Sequence, residues 1–109
     1  MAPSVEFRRL QSFERSAAGI LTENDVAELE IALMIRPDAG ALIPGGRGLR
    51  KIRRPLAGRG KSGGARVVYY HVAADNTIYL VFTYAKNRQG DLTREQLASL
   101  AKLVASQIP

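Results

Sequence analysis

Polar and apolar positions in the first third of the chain predict one strand followed by two helices. Apolar and charged residues alternate over Ser4–Phe7, as in a half-buried strand, and Phe13–Ile20 is predicted to be a short helix. Thr22 and Asp25 have the spacing of a helix N-cap. Apolar positions follow at nearly helical period until Pro37, which ends the helix. The apolar positions of this helix that are predicted to face the core are Val26, Leu29, Leu33 and Met34.

The second half of the chain predicts three strands that follow one another closely. Leu49–Arg53 combines apolar Leu49 and Ile52 with three basic residues and is predicted to be a strand. Ala65–Ala73 and Thr77–Ala85 are rich in β-branched and aromatic residues, which favour strands. Asp75-Asn76 lies between them and favours a tight hairpin turn, because both residue types tolerate a positive φ.

A final amphipathic helix completes the predicted order, β-α-α-β-β-β-α. Thr93 and Gln96 form a capping box at its start. An order of this kind predicts the α+β class, with a small antiparallel sheet, two N-terminal helices and one C-terminal helix. The length of 109 residues predicts a single domain over residues 1–109.

Composition limits the cellular compartment and the chemistry expected of the chain. It contains no cysteine, so neither a disulfide framework nor thiolate chemistry is available. Its first residues resemble no signal peptide, and no apolar run approaches the roughly 20 residues that cross a bilayer. We therefore expect a cytoplasmic protein that does not act at a membrane.

Positive charge is concentrated in one part of the chain. Residues 47–74 contain eight basic and no acidic side chains, whereas residues 1–46 contain four basic and seven acidic ones. A solvated charged face normally mixes both signs, and this segment does not. The concentration predicts a surface for a polyanion such as RNA.

Other chemistry finds little support in the sequence. His71 is the single histidine and lies in mid-strand, where a packed or hydrogen-bonded residue is more typical than a metal ligand or a catalytic group. The glycine-rich loop Gly58–Gly64 is followed by a strand, whereas a nucleotide-binding P-loop needs a helix at that point. We expect no cofactor and no metal. Most of the four tyrosines are expected to be core or hairpin residues, although they could stack on bases.

Three stretches of sequence together resemble one protein family. They are Gly48-Leu-Arg-Lys-Ile-Arg53, Gly64-Ala-Arg-Val-Val-Tyr-Tyr70 and Tyr79-Leu-Val-Phe-Thr-Tyr-Ala-Lys-Asn87, the last followed by Asp91-Leu-Thr. This combination resembles the RelE superfamily of bacterial toxins, and within it the HigB branch. The resemblance implies a ribosome-dependent, metal-independent endoribonuclease that cleaves mRNA during translation. It also implies a cognate antitoxin, and contact with operator DNA only through the toxin–antitoxin complex.

The resemblance also implies which residues handle the scissile phosphate. Arg66 matches the family's arginine in the second stretch, Arg59 and Lys61 match its loop cations, and Lys86 matches the lysine after the last strand. These four are the predicted catalytic residues. The RelE branch has an arginine directly after that lysine, where this chain has Asn87, so Arg88 is the candidate replacement.

Further basic residues are predicted to bind RNA or to dock the protein on its partners. Docking could involve ribosomal RNA or an acidic antitoxin segment. The predicted RNA-binding residues are Arg50, Lys51, Arg53, Arg54, Asn87 and Arg88, and Arg47 is a further docking charge. The acidic helix Thr22–Arg36 is expected to be a solvated outer face, with antitoxin contact as the alternative.

Two questions stay open at the level of sequence. The same fold also carries ParE-like toxins that inhibit DNA gyrase without cleaving RNA, and a non-catalytic RNA-binding module would share the basic surface. A two-residue turn at Asp75-Asn76 would place Arg66 opposite Ala85, with Lys86 on the other face, and a one-residue register shift reverses that arrangement.

Overall fold

A computed structural model describes residues 4–56 and 63–108, in which three helices pack on a five-stranded sheet. The elements are β1 (Glu6–Arg9), α1 (Gln11–Ala17), α2 (Glu23–Ile35), β2 (Ala41–Leu42), β3 (Arg50–Arg54), β4 (Ala65–Val72), β5 (Thr77–Ala85) and α3 (Arg94–Gln107). The predicted α+β class and element order are confirmed. The two-residue β2 adds a strand within the loop that precedes β3.

The strands lie in the order β1-β5-β4-β3-β2. Strands β3 to β5 pair antiparallel, as predicted, and so does β2 with β3. The prediction of an antiparallel sheet is wrong at the other edge, where β1 pairs parallel with β5. Helices α1 and α2 cover one face of the sheet and α3 covers the other. Each face has its own cluster of buried side chains, so β4 and β5 in the centre are apolar on both sides. No helix in the described ranges is long and apolar enough to span a membrane.

Helix α2 begins with the predicted N-cap at Thr22, which forms a full capping box with Asp25. The Thr22 hydroxyl accepts from the Asp25 N–H, and the Asp25 carboxylate accepts from the Thr22 N–H. Leu33 is fully buried, but Met34 is 54% exposed, so its predicted place in the core is wrong. Successive helical residues point about 100° apart, so Met34 lies off the face of α2 that buries Leu33.

The acidic side of α2 is only partly a solvated outer face. The Arg9 guanidinium of β1 reaches across to it, with Nη1 lying 3.0 Å from the Glu23 carboxylate and Nη2 lying 3.5 Å from that of Glu30. Glu28 is exposed, as predicted. Glu23 and Glu30 therefore pair with Arg9 on the edge strand, although the Glu23 side chain stays 83% exposed.

A bulge interrupts the pairing of β4 with β5. Val68 pairs with Phe82, but the next residue, Tyr69, pairs with Leu80, so Val81 has no partner on β4. The hairpin itself closes through a four-residue loop, residues 73–76, rather than the predicted two-residue turn. Beyond the extra residue, each side chain of β5 points to the face of the sheet opposite to the one it would take without the bulge.

Helix α1 satisfies the backbone of β5 next to this bulge. Beyond the end of β1, no strand of the described residues pairs with this edge of β5, and two serines of α1 take its place. The Ser12 hydroxyl donates to the Val81 carbonyl at 2.6 Å, and the Ser16 hydroxyl accepts from the Thr83 N–H at 2.9 Å. The short helix α1 is thereby fixed to the strand whose register the bulge sets.

Replacing Ser16 should destabilise the protein out of proportion to the small size of the side chain. Ser16→Ala leaves the Thr83 N–H without its acceptor, and we expect the free energy of unfolding to fall by about 1–3 kcal/mol. Denaturant unfolding of the purified protein measures this. Ser106→Ala is the control, because the Ser106 hydroxyl is exposed and only approaches a carbonyl of its own helix. Equal stability of the two variants would contradict this role of α1.

Candidate phosphate-binding site

Four cations share the α3 face of the sheet at the end of β5. Lys51 pairs with Val68, and Arg53 pairs with Arg66, so these side chains project to the same side as the core beneath α3. Tyr84 lies opposite Arg66. Lys86 directly follows β5, two residues after Tyr84, so its side chain projects to the same side as that of Tyr84. We call Lys51, Arg53, Arg66 and Lys86 the cation cluster.

Arg66 and Lys86 meet at Gly63. The Arg66 guanidinium donates to the Gly63 carbonyl at 2.8 Å. The Lys86 N–H donates to the Gly64 carbonyl at 3.0 Å, and the Lys86 Cγ lies 2.8 Å from the place a Cβ would take on Gly63. Gly63 has a φ of +79°, so both its backbone conformation and this close approach require glycine. The open question of the register is resolved: Arg66 and Lys86 lie on one side.

The turn after β5 holds Lys86 in place. The Arg88 and Gln89 N–H groups both donate to the Ala85 carbonyl, which turns the chain away from the sheet. The Lys86 ammonium donates to the Gly90 carbonyl across the same turn. The charge of Lys86 therefore contacts a neutral acceptor.

A carboxylate also lies beside the cation cluster. The Asp91 Oδ1 accepts three hydrogen bonds, from the Leu92 N–H at 2.8 Å, the Lys51 ammonium at 3.1 Å and the Tyr84 hydroxyl at 3.3 Å. Tyr84 is 3% exposed, so its hydroxyl is the buried end of this network. Asp91 thus connects the turn before α3 to both β3 and β5.

The protonation states follow from these contacts. Burial raises the pKa of Tyr84 to about 12, and the charge of Asp91 and the hydrogen bond to it act in the same direction. The hydrogen bond from the Leu92 N–H and the one from Lys51 hold the pKa of Asp91 below its usual value. At neutral pH the carboxylate is ionised and the phenol is neutral, so Tyr84 cannot act as a general base there.

The other sequence-predicted residues lie apart from the cluster. Arg50 and Arg54 point to the α1/α2 face, and Arg50 donates to the Gly40 carbonyl at 2.7 Å. Asn87 and Arg88 line a cavity of about 290 Å³ at the end of α1. The predicted catalytic residues Arg59 and Lys61 lie outside the described residues, while Arg47 is exposed in the turn before β3.

His71 and the tyrosines have largely the structural roles that the sequence predicts. The His71 Nε2 lies 2.9 Å from the Asn76 side-chain oxygen at the hairpin loop. It is five residues from Arg66 along β4, a separation of about 17 Å. Tyr69 is fully buried, donating to the Pro37 carbonyl and accepting from the Gly40 N–H. The predicted hydrogen-bonded histidine and core tyrosine are confirmed.

Sequence reasoning did not identify Tyr84 or Asp91 as parts of the site. Tyr84 is one aromatic residue in a strand that is apolar on both faces, so alternation does not reveal its direction. Asp91 follows a turn, and its distance from Lys51 depends on how β3 and β5 are joined through β4. The one available signal was the Asp91-Leu-Thr sequence after the last strand.

Comparison with known proteins identifies the family to which this chain belongs. The family described as the RelE toxin of the RelE/RelB toxin–antitoxin system matches residues 11–108. The chain belongs to the RelE toxin family. The fold agrees: Escherichia coli toxin RelE, solved in the free state as a double arginine-to-alanine mutant, is similar at a TM-score of 0.51. The two chains are 18% identical, and the similarity covers 94% of this chain and 96% of the E. coli protein. Membership in the HigB branch stays a prediction.

The neutral state of Tyr84 can be tested by alkaline titration. A tyrosine titrating near pH 12 should be seen in ultraviolet tyrosinate absorbance of the wild type and be missing in Tyr84→Phe. Because the unfolded state ionises near 10 and the folded state only near 12, this group's contribution to stability is complete below pH 10 and is lost as the pH rises from 10 to 12. Tyr84→Phe should therefore lose stability less steeply than the wild type over that range. An identical slope for both proteins would show that folding does not raise the pKa of Tyr84.

Proposed function

We propose that this RelE-family protein is a ribosome-dependent endoribonuclease that cleaves mRNA during translation and is neutralised by a cognate antitoxin. Family membership supports the toxin role. The observation that carries the nuclease role is the meeting of Arg66 and Lys86 at Gly63, beside Arg53. A compact group of cations on one side of the sheet suits a single phosphate of an RNA backbone.

The reaction proposed is attack by the RNA on its own backbone. The 2′-oxygen forms a bond to the adjacent phosphorus, and the bond from phosphorus to the 5′-oxygen breaks. The products are a cyclic phosphate and a free 5′-hydroxyl. The proton of the 2′-hydroxyl leaves as the first bond forms, and the 5′-oxygen takes up a proton as the second bond breaks. Positioning and charge stabilisation can supply much of the rate enhancement.

Arg66 is assigned to the charge that develops on the non-bridging phosphate oxygens. A guanidinium presents a planar fork of donors that matches two phosphate oxygens and stays charged throughout. Arg66 is half-buried and held at Gly63, so its direction is set before RNA binds. Arg53 lies next to it across β3 and β4 and adds a second, exposed cation for the flanking phosphate.

Lys86 is assigned to the departing 5′-oxygen. Its ammonium is a hydrogen-bond donor with three protons, so it can stabilise the oxygen and supply the proton that the oxygen takes up. In the free protein it contacts only the Gly90 carbonyl among the described residues, and an RNA oxygen can take that place. Arg59 stays protonated and suits the charge role, so the group that accepts the 2′-hydroxyl proton is sought in Lys61, the ribosome or the mRNA itself, with Lys61 as the protein's candidate.

Residues on the other side of the sheet are assigned to docking. Arg50, Arg54, Asn87 and Arg88 lie on the α1/α2 face or at the cavity beside α1. We assign them to contacts with ribosomal RNA or with an acidic segment of the antitoxin. Such contacts would change affinity for the ribosome and its salt dependence rather than the rate of the chemical step.

Removing the two central cations should abolish cleavage without unfolding the protein. Arg66→Ala and Lys86→Ala should each lower mRNA cleavage by about 100-fold or more, the size of effect seen when one preorganised charge donor is lost. Arg15→Ala and Lys102→Ala serve as matched controls, because both residues are exposed on helices away from the cluster. The measurement is the mapping of mRNA 5′ ends after induced expression, with thermal unfolding to confirm the fold.

Two results would contradict the proposal. Full cleavage by the Arg66→Ala, Lys86→Ala double variant would remove the cation cluster from the chemistry. Intact mRNA together with gyrase-linked DNA damage in wild-type cells would favour the ParE-like alternative. Cuts at codon-phased positions in translated messages are the result expected.

A further inference from the structure

The four members of the cation cluster do not all have the same kind of partner in the free protein. Arg66 and Lys86 contact the carbonyls of Gly63 and Gly90, which are neutral. Within the part of the chain that the structure describes, Lys51 is the member with a carboxylate at ion-pair distance, that of Asp91 at 3.1 Å. One of the four positive charges is thus already compensated before any RNA arrives.

Asp91 is fixed by the backbone rather than by Lys51. Its Oδ1 accepts from the Leu92 N–H, and the Gln89 side chain donates to its backbone carbonyl at 2.9 Å. The Gln89 amide also donates to Gln96 at the start of α3. The turn therefore presents the carboxylate in a set position, and it remains there whether or not Lys51 contacts it.

Lys51, by contrast, can change its partner. Its side chain is 31% exposed and that of Asp91 is 67% exposed, so water competes with their ion pair. Exposed pairs of this kind contribute little to stability. Lys51 lies two residues from Arg53 on the same face of β3, about 7 Å along the strand, a spacing that suits an RNA phosphate next to the one that Arg66 binds.

We propose that Asp91 is the counter-ion that limits the affinity of the cation cluster for RNA: it holds Lys51 in the free protein, and an RNA phosphate takes Lys51 from it. The inference rests on the proposed function, because it takes RNA as the ligand of the cluster. Asp91 acts through Lys51 and does not contact the reacting atoms. Its negative charge opposes the incoming phosphate both by occupying Lys51 and by direct repulsion.

Neutralising Asp91 should therefore make RNA bind more tightly. Asp91→Asn keeps a side-chain oxygen that can accept from the Leu92 N–H and the Tyr84 hydroxyl, while the charge is lost. We expect roughly two- to fivefold tighter binding, the range that a surface ion pair corresponds to. The slope of log affinity against log salt should steepen by about 0.7, because the Asp91 carboxylate attracts a salt cation once RNA has taken Lys51 from it, and an asparagine does not.

The probe is a short single-stranded RNA with 2′-O-methyl groups, which cannot be cleaved, and binding is followed by fluorescence anisotropy across a salt series. Asp75→Asn is the matched control. Asp75 is also an exposed aspartate whose carboxylate accepts from a nearby backbone N–H, but it lies in the hairpin loop at the opposite end of β4 and β5. The variant Asp75→Asn therefore reports the effect of the change in net charge alone.

A double variant isolates the part played by Lys51. If Asp91 acts by holding Lys51, much of the gain seen in Asp91→Asn should disappear when Lys51→Gln is also present. The salt slope of the double variant should return to that of Lys51→Gln alone. Asp91→Ser provides a second neutral replacement that can still accept from the Leu92 N–H, should the asparagine variant be unstable.

Several results would overturn the inference. Equal gains in Asp91→Asn and Asp75→Asn would show a net-charge effect, and unchanged or weaker binding in Asp91→Asn would show that Asp91 has only a structural role. A gain that persists in full without Lys51 would also contradict it. These outcomes do not bear on whether the wild type cleaves mRNA. A wild type that neither binds RNA in a salt-dependent way nor cleaves mRNA would overturn the proposed function as well.

Discussion

The β-bulge at Val81 determines on which side of the sheet the end of β5 presents its side chains. Leu80 faces α1 and α2, and uninterrupted alternation would carry Tyr84 and Lys86 to that same face. Because Val81 is an extra residue, Val81 and Phe82 both pack towards α3, and the side chains beyond them are inverted. The bulge thereby brings Lys86 to the face that Arg66 occupies.

The bulge is stabilised from the side away from the proposed site. Helix α1 supplies Ser12 and Ser16 to the backbone of β5 on either side of Phe82, which compensates the edge that β1 leaves uncovered. On the opposite face, the buried Tyr84 connects the core beneath α3 to Asp91 and through it to Lys51. The strands that form the core therefore also carry the proposed site, and a change in their register would disturb both.

Much of the fold could be predicted from sequence because its signals are local. The N-caps at Thr22 and Thr93 and the apolar strand Thr77–Ala85 depend on near neighbours in the chain, and the structure has them as predicted. The bulge could not be predicted, since β5 is apolar on both faces and a one-residue slip leaves its pattern unchanged. The direction of Lys86 and the contact between Asp91 and Lys51 both depend on that slip. Family resemblance supplied Arg66 and Lys86, but only the pairing of the strands shows that they meet.

The most direct test of this account is to locate RNA on the protein by nuclear magnetic resonance. Titrating labelled protein with a non-cleavable single-stranded RNA should shift signals from Arg53, Arg66 and Lys86 first, together with the glycines that Arg66 and Lys86 contact. Because Lys86 joins Arg53 and Arg66 on the α3 face only through the bulge, this pattern would support both the register and the site. Shifts confined to Arg50 and Arg54 on the α1/α2 face would contradict the account.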